Sequence, residues 1–275
     1  MDQLKSIGIV VNATKEGARE LAMKLAEIAR QAGVEARLCE AYPVPLDFLK
    51  GCDFCCTVGG DGTLLSVVPA AIHADVPVMG INFGKLGFMA SFASENAVEA
   101  LQQAIGGRYL TSERTLLSCA CSAGSAYLAL NDIVVKTRSS RLLRLRVYAD
   151  DHFVNEYYAD GLIISTPTGS TAYNLSADGP LIHPSAPVLA MTPICPHTLS
   201  NRSVIFSDDT RLRIALCGSE ADVHATLDGR PCFQSWQNFP LTLQKAERTF
   251  HLVQNPGEDH FSIVRKKLHW GENGR

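Results

Sequence analysis

The chain has 275 residues, 46% of them hydrophobic and 19% charged, and a formal net charge of −3. That balance excludes a global electrostatic pull toward nucleic acid or anionic membrane, and no apolar run is long enough to span a bilayer. The length suffices for one large domain or two smaller ones, each with a buried core.

Residues Met1-Asp2-Gln3-Leu4-Lys5 run straight into a strand pattern without a signal-peptide layout, so we expect a soluble cytoplasmic protein. Ile7 to Val11 is a continuous apolar run, as in a buried parallel strand. Thr14 is placed to cap a helix whose apolar residues Ala18, Leu21, Ala22, Leu25, Ile28, Ala29 and Ala32 recur at helical spacing. Gly33 is a natural end for it. Val34 to Leu38 reads as a second strand and Tyr42-Pro43-Val44-Pro45 as a loop.

A third strand, Phe54 to Val58, breaks into Gly59-Gly60-Asp61-Gly62-Thr63, and a short helix from Leu64 should be limited or kinked by Pro69. Strand, glycine turn and helix start is the layout that aims backbone N–H groups at a phosphate. It is also good chemistry for a plain tight loop. Asp61 is the one acidic side chain in the turn. Pro77 to Ile81 is a further strand and empties into Asn82-Phe83-Gly84-Lys85-Leu86-Gly87-Phe88, a second glycine-rich turn. A helix from about Ser94 to Ile105 ends at Gly106-Gly107. Alternating strands and helices predict an α/β N-terminal domain with a parallel doubly wound sheet over residues 1–107.

From Leu116 onward strands follow one another. Leu143, Leu145, Val147 and Ala149 alternate with Arg144, Arg146, Tyr148 and Asp150. Leu162–Ser165, Arg211–Leu216, Val223–Leu227 and Pro240–Leu243 fit further strands, which predicts an all-β sandwich-like C-terminal domain over 108–255. Residues 256–275 carry a helix with Phe261, Val264, Leu268 and Ile263 as its apolar face, free to pack back on the N-terminal domain.

The β half holds Thr166-Pro167-Thr168-Gly169-Ser170-Thr171-Ala172-Tyr173-Asn174-Leu175-Ser176. Its hydroxyls and amides suit a neutral polar ligand such as ribose or adenine, and they suit a loop that caps its own backbone equally well. Asn131-Asp132 fits either a hairpin turn or a polar pair facing a ligand. Lys136, Arg138, Arg141, Arg144 and Arg146 read as a solvated strand face from which one or two could reach a phosphate. The nine cysteines and eight histidines show no zinc-ligand pairing, and the cysteines read as small hydrophobes in a reduced core.

Gly59-Gly60-Asp61-Gly62-Thr63, Asn131-Asp132 and Thr166 to Tyr173, in that order, resemble the NAD kinase family, and Leu86-Gly87-Phe88 and Lys267-Leu268-His269-Trp270 fit the same pattern. The resemblance spans nearly the whole chain. Its first element is shared with lipid kinases of the diacylglycerol and sphingosine type, and related turns occur in phosphofructokinases; the Thr166–Tyr173 element is far more specific. The resemblance implies transfer of the γ-phosphate of ATP to the 2′-hydroxyl of NAD's adenosine ribose, with Mg²⁺ or another divalent cation, in a crevice between the domains. It implies Asp61 as general base, with Gly59, Gly60, Gly62 and Thr63 at the ATP phosphates. It implies NAD contacts from Asp61, Gly62, Asn131, Asp132, Arg141, Tyr158, Asp160, Thr171, Ala172, Tyr173, Asn174, Leu175 and Ser176, and assigns no direct protein ligand to the metal. It also implies a homodimer or homotetramer whose neighbouring subunit helps complete the site, with no nucleic-acid or membrane partner.

Three positions depart from the pattern of some members: Asp132 where many bacterial ones carry glutamate, Tyr158 where some carry arginine, and Arg230 after Asp228-Gly229 where some carry glutamine. Two rival readings are a lipid kinase, which would need an apolar cleft, and a dinucleotide-binding sensor that lacks the reaction.

Overall fold

The structure is a computed structural model. It describes residues 3–84, 86–122, 124–198, 200–218 and 222–271. The chain divides into two compact units, Met1–Glu113 with Phe250–Arg275, and Arg114–Thr249.

In the first unit the elements are β1 (Ser6–Val11), α1 (Ala18–Gln31), β2 (Glu35–Cys39), β3 (Phe54–Gly59), α2 (Asp61–Ala74), β4 (Val78–Asn82), β5 (Phe92–Ala93) and α3 (Ala97–Ile105). The sheet is parallel in the order β4-β3-β1-β2, with β5 beside β4. Every residue of β1, β3 and β4 is buried, because helices cover both faces of such a sheet and leave no side for polar alternation. The register sets Val11 beside Val58 and Gly59 beside Asn82. Asn12, Gly60 and Phe83 therefore leave the sheet together at its carboxyl edge, the edge where α/β sheets bind ligands.

Gly33 ends α1 as its sequence suggests. With φ of 78° its N–H reaches the Arg30 carbonyl at 2.9 Å, and the N–H of Val34 reaches that of Ala29 at 2.9 Å. Both bonds make a Schellman end, which satisfies carbonyls that would otherwise be orphaned. Three local expectations are corrected. Thr14 does not cap α1: the helix starts after Gly17, at φ 79°, and the Thr14 hydroxyl bonds the Asn12 side chain instead. The helix after the glycine turn begins at Asp61 rather than Leu64, and it runs through Pro69 to Ala74. Burial of Val67, Val68, Ala70, Ala71 and Ile72 offsets a loss of about 3 kcal/mol at the proline. Lys85, in the second glycine turn, lies outside the described residues.

The second unit holds β6 (Thr111–Ala120), β7 (Ala126–Ala129), β8 (Asp132–Thr137), β9 (Leu143–Ala149), β10 (His152–Ala159), β11 (Gly161–Ser165), α4 (Tyr173–Ser176), β12 (Val188–Ile194), β13 (Val204–Ser207), β14 (Leu212–Leu216), β15 (Val223–Leu227), β16 (Arg230–Phe233) and β17 (Leu241–Val253). β6 begins three residues before this unit's boundary, and β17 ends beyond it. One antiparallel sheet runs β13-β12-β11-β8-β15-β16; a second layer orders β10-β9-β14-β17, with β6 pairing β17 and β7. Leu143, Leu145 and Val147 of β9, Ile133 and Val135 of β8 and Leu162 and Ile164 of β11 meet in one apolar core, so the unit is a sandwich.

The last four residues of β17 belong to the first unit, where Leu252 pairs in parallel with Val78. α5 (His260–Leu268) follows there, capped by the Asp259 carboxylate, which accepts the Ser262 N–H at 2.9 Å. Its buried residues are Ile263 and Val264, whereas Phe261 is 56% exposed, contrary to the apolar face read from the sequence. Of the cysteines, Cys39, Cys52, Cys55, Cys56, Cys119 and Cys121 are buried, and Cys195 is exposed. Among the described residues no helix is long and apolar enough to cross a membrane.

Candidate active site

The first unit organises its site around Asp61, the first residue of α2. The chain after β4 folds back over it. The Asp61 Oδ2 accepts the N–H of Phe88 at 2.7 Å, and Oδ1 accepts those of Met89 at 3.0 Å and Ala90 at 2.9 Å. A carboxylate has about four lone-pair directions, so one on Oδ2 stays uncommitted. Gly87 makes this grip possible, because a Cβ there would lie 2.1 Å from Asp61 Oδ1. The Leu86-Gly87-Phe88 turn and the Gly59–Thr63 turn are thus one assembly.

The glycines divide their work. A Cβ on Gly59 would lie 2.1 Å from Thr63 Oγ1, so this residue lets the helix start pack on the strand end. Gly62 has open space at its Cβ position. Gly60 stands before α2 in extended backbone at φ 167°, and its carbonyl accepts the N–H groups of Thr63 at 3.0 Å and Leu64 at 3.1 Å. The N–H groups of Asp61 and Gly62, first in the helix, have no intrahelical partner and carry the positive end of its dipole.

Gly60, Asp61, Gly62, Thr63, Ser66, Asn82, Gly87, Asn12, Lys15 and Lys267 line a cleft of about 710 Å³. Asn82 is buried, and its Nδ2 donates to the Gly84 carbonyl at 3.0 Å while its Oδ1 has no partner. Among the described residues no cluster of three His, Cys, Asp or Glu could hold a metal ion. A divalent cation that is held mainly by phosphate oxygens and water needs few protein ligands. Asn82 Oδ1, a buried oxygen that lacks a donor, fits such a cation.

In the second unit a buried aspartate grips another segment. The Asp228 carboxylate accepts the N–H groups of Leu130 at 3.0 Å, Asn131 at 2.7 Å and Asp132 at 3.3 Å. Asp228 itself sits at φ 48°, and Arg230 Nη2 lies 3.7 Å from its Oδ2. Thr166 ties the hydroxyl-rich turn to the same segment: its N–H donates to the Asn131 carbonyl at 2.9 Å and its hydroxyl to that of Leu130 at 2.6 Å. A Cβ on Gly169 would lie 2.0 Å from the Asn131 carbonyl oxygen, so only glycine allows this approach. Asn131 Oδ1 and Thr168 Oγ1 are buried and lack partners, which leaves two polar atoms for a ligand or water to satisfy. Asp132 is 4% exposed. Burial, helped by the nearby Asp228 charge, pushes its carboxyl up to about 7, against the pull of the Tyr173 N–H.

The structure brings Asn131 and Asp132 to the turn that holds Thr171, Ala172, Tyr173, Leu175 and Ser176. Asn174 is in the same turn but is spent internally: its Nδ2 donates to the Pro180 carbonyl at 3.0 Å and its Oδ1 accepts from Thr192 at 2.7 Å. Tyr173 lies along β8, with the Lys136 ammonium 6.0 Å from its ring centre. Asp160 is at the far end of β8 from Asp132, since Gly161 pairs with Lys136 and Ser165 with Asp132, which sets Asp160 about 17 Å along the strand. Tyr158 is on β10, in the other sheet, 43% exposed under the Arg144 guanidinium. Arg141 is exposed in the loop between β8 and β9. Arg144 and Arg146 are both taken by Glu156, at 2.6 and 2.5 Å.

Sequence reasoning assigned no role to Asp228, Asn82 or Lys15. Asp228-Gly229 carries a turn signal, but nothing local links it to residues 130–132. The turn after β1 likewise carries no local signal beyond the approach to a helix.

A glycine turn opening a helix at the carboxyl edge of a parallel sheet, beside a lysine-lined cleft, is a phosphate-handling arrangement. With the sandwich and its hydroxyl turn, it fits the class of nucleotide-binding kinases. The family model for the ATP-NAD kinase N-terminal domain matches residues 43–109, and that for the C-terminal domain matches residues 130–255. The NAD kinase of Geotalea daltonii is 41% identical over 231 residues, covering 82% of this chain and 81% of the relative. That of Solibacter usitatus is 35% identical over 286 residues, covering 99% and 100%. Among solved structures, a yeast NADH kinase complexed with NADH superposes with a TM-score of 0.86 at 25% identity, covering 100% of this chain and 90% of that one. An NAD kinase from Archaeoglobus fulgidus in complex with ATP shares the fold, with a TM-score of 0.79 at 24% identity and coverage of 96% and 98%. The chain belongs to the NAD kinase family and is an enzyme of that family.

Proposed function

We propose that this chain transfers the γ-phosphate of ATP to the 2′-hydroxyl of the adenosine ribose of NAD, giving NADP and releasing ADP as the bond from the γ-phosphorus to the β,γ-bridging oxygen breaks. The observation that carries this reading is the Asp61 carboxylate, fixed by three amide donors at the mouth of a helix N-terminus with one lone pair left. A ribose hydroxyl is a poor nucleophile at neutral pH. Asp61, as general base, accepts its proton on Oδ2 while the oxygen–phosphorus bond forms, a contribution of ~10²–10⁴ in rate. The free N–H groups of Asp61 and Gly62 orient phosphate oxygens, and Gly60 and Thr63 shape the space around them. A bound Mg²⁺ would supply charge neutralisation at the phosphates, and Asn82 Oδ1 would help to hold it through water.

Asn131, Asp132 and the turn from Thr171 to Ser176 hold the dinucleotide, with Tyr173 against a base. The relatives' shared name and the unsatisfied Asn131 Oδ1 and Thr168 Oγ1 support this part. The protein acts as a homodimer or homotetramer. In this reading Asp160, Tyr158 and Arg141, which lie away from Asp132, face a neighbouring subunit's ligand.

The test is a phosphoryl-transfer assay with Mg-ATP and either NAD or NADH, reading product with an NADP-specific dehydrogenase. Product from wild type and none from Asp61→Asn supports the reading. No product from wild type with either acceptor overturns it. Light scattering after size exclusion measures the assembly, and a monomer at assay concentration rejects the shared site.

A further inference from the structure

The cleft of the first unit holds a lysine that the reaction scheme above does not use. We propose that Lys15, in the loop between β1 and α1, is the cation that holds the phosphates of the nucleoside triphosphate. The proposal deepens the kinase reading and rests on its assignment of this cleft to the phosphate donor.

Lys15 is built into the cleft. Its Nζ donates to the carbonyl of Gly59, where β3 ends, and to that of Phe83, just after β4, at 2.5 Å for the latter. An ammonium has three donors, so these two bonds leave one. They also fix the position of a side chain that would otherwise sample many rotamers. A Cβ on Gly60 would lie 3.3 Å from this Nζ, so the ammonium sits directly beside the N-terminus of α2. The unpartnered, buried Asn82 Oδ1 lies 3.8 Å from the same Cβ position and also lines the cleft.

The charges around the cleft favour a polyanion. Glu40 is on the wall but pairs with Arg19 at 2.8 Å. Asp61 already accepts three amide N–H groups. Lys15 pairs with no carboxylate among the described residues, and Lys267 contributes a second ammonium, 5.4 Å from the Phe88 ring centre. A fixed cation, free helix N–H groups and an acceptor for a metal-bound water together match a metal-complexed chain of phosphates better than a sugar or an acyl chain.

The probe is inorganic tripolyphosphate with Mg²⁺, titrated by calorimetry into full-length protein. Lys15→Gln keeps N–H donors for the two carbonyls but removes the charge, whereas Lys15→Arg keeps the charge. We expect Lys15→Gln to weaken tripolyphosphate binding, and to raise the KM for ATP, by about tenfold or more, with the KM for NAD unchanged. Lys15→Arg should recover part of this, and Lys24→Gln, on the exposed face of α1, should change nothing. In wild type, tripolyphosphate should also shield Lys15 but not Lys24 from an acylating reagent, read by mass spectrometry. That readout serves even if a variant fails to fold.

Equal tripolyphosphate affinity in wild type and Lys15→Gln, or equal labelling of Lys15 with and without tripolyphosphate, overturns the proposal. Lys15-dependent tripolyphosphate binding without NADP formation supports it and removes the kinase reading instead. NADP formation with an unchanged KM for ATP in Lys15→Gln does the reverse.

Discussion

The carboxylate of Asp61 accepts the amide N–H of Phe88 at 2.7 Å, so the residue that opens α2 is held by a turn twenty-seven positions later in the chain. Met89 and Ala90 add two more N–H groups on its other oxygen. In Asp61→Asn one oxygen becomes an NH₂ that must face an amide donor. We therefore expect kcat to fall by about 10²–10⁴. Thermal stability should drop as well, by about 1–2 kcal/mol for the lost turn bonds. Steady-state kinetics beside a thermal melt separates the two effects, and an unchanged kcat removes Asp61 from the role of base.

Gly87 tests the same geometry from the other side. A methyl group at this position would lie 2.1 Å from Asp61 Oδ1, and its backbone is not in the left-handed region. Gly87→Ala should therefore displace the carboxylate without straining the chain, and lower kcat by about tenfold or more through misplacement alone. Wild-type kcat in this variant would show that the position of Asp61 is not critical.

Asp228 does for residues 130–132 what Asp61 does in reverse, as the partner in the second unit that holds a site segment by its amides. Asp228→Ala leaves those donors without their acceptor, at about 1–3 kcal/mol for each one that stays buried. We expect a fall in melting temperature of several degrees and a KM for NAD raised more than the KM for ATP. A variant with wild-type melting and wild-type KM values would contradict this.

Asp132 gives a pH signature. Burial and the Asp228 charge raise its carboxyl to about 7, above the ordinary range. The folded protein then keeps a proton that the unfolded chain has already lost, so stability falls as pH rises through that window. Between pH 6 and pH 8 the loss from this group is about 1.4 kcal/mol. Asp132→Asn does not titrate, so its melting temperature should fall by about 2–4 °C less than that of wild type over the same interval. Parallel curves for the two proteins would place the Asp132 carboxyl in its ordinary range.

Much of the first unit is legible in its residues. β1, β3 and β4 are apolar runs because a covered parallel sheet has no polar face, and Gly33 ends α1 because it alone enters positive φ without cost. The alternation in β9 likewise shows a strand with one face in the core. Local signals misled where burial outweighed them. Pro69 stays inside α2, whose neighbours on the helix are buried, and Phe261 points to solvent although its spacing fits an apolar face.

Periodicity, turn residues and motif order are local properties, so the two textures of the chain and the three motifs that carry the family are legible in the residues alone. Which distant residues hold those motifs in place depends on the packed fold. That Asp61 is gripped by residues 88–90, residues 130–132 by Asp228, and Lys15 by the ends of two strands follows from sheet register. Buried N–H and carbonyl groups must find partners wherever the fold brings one within reach, and no spacing along the chain encodes that distance.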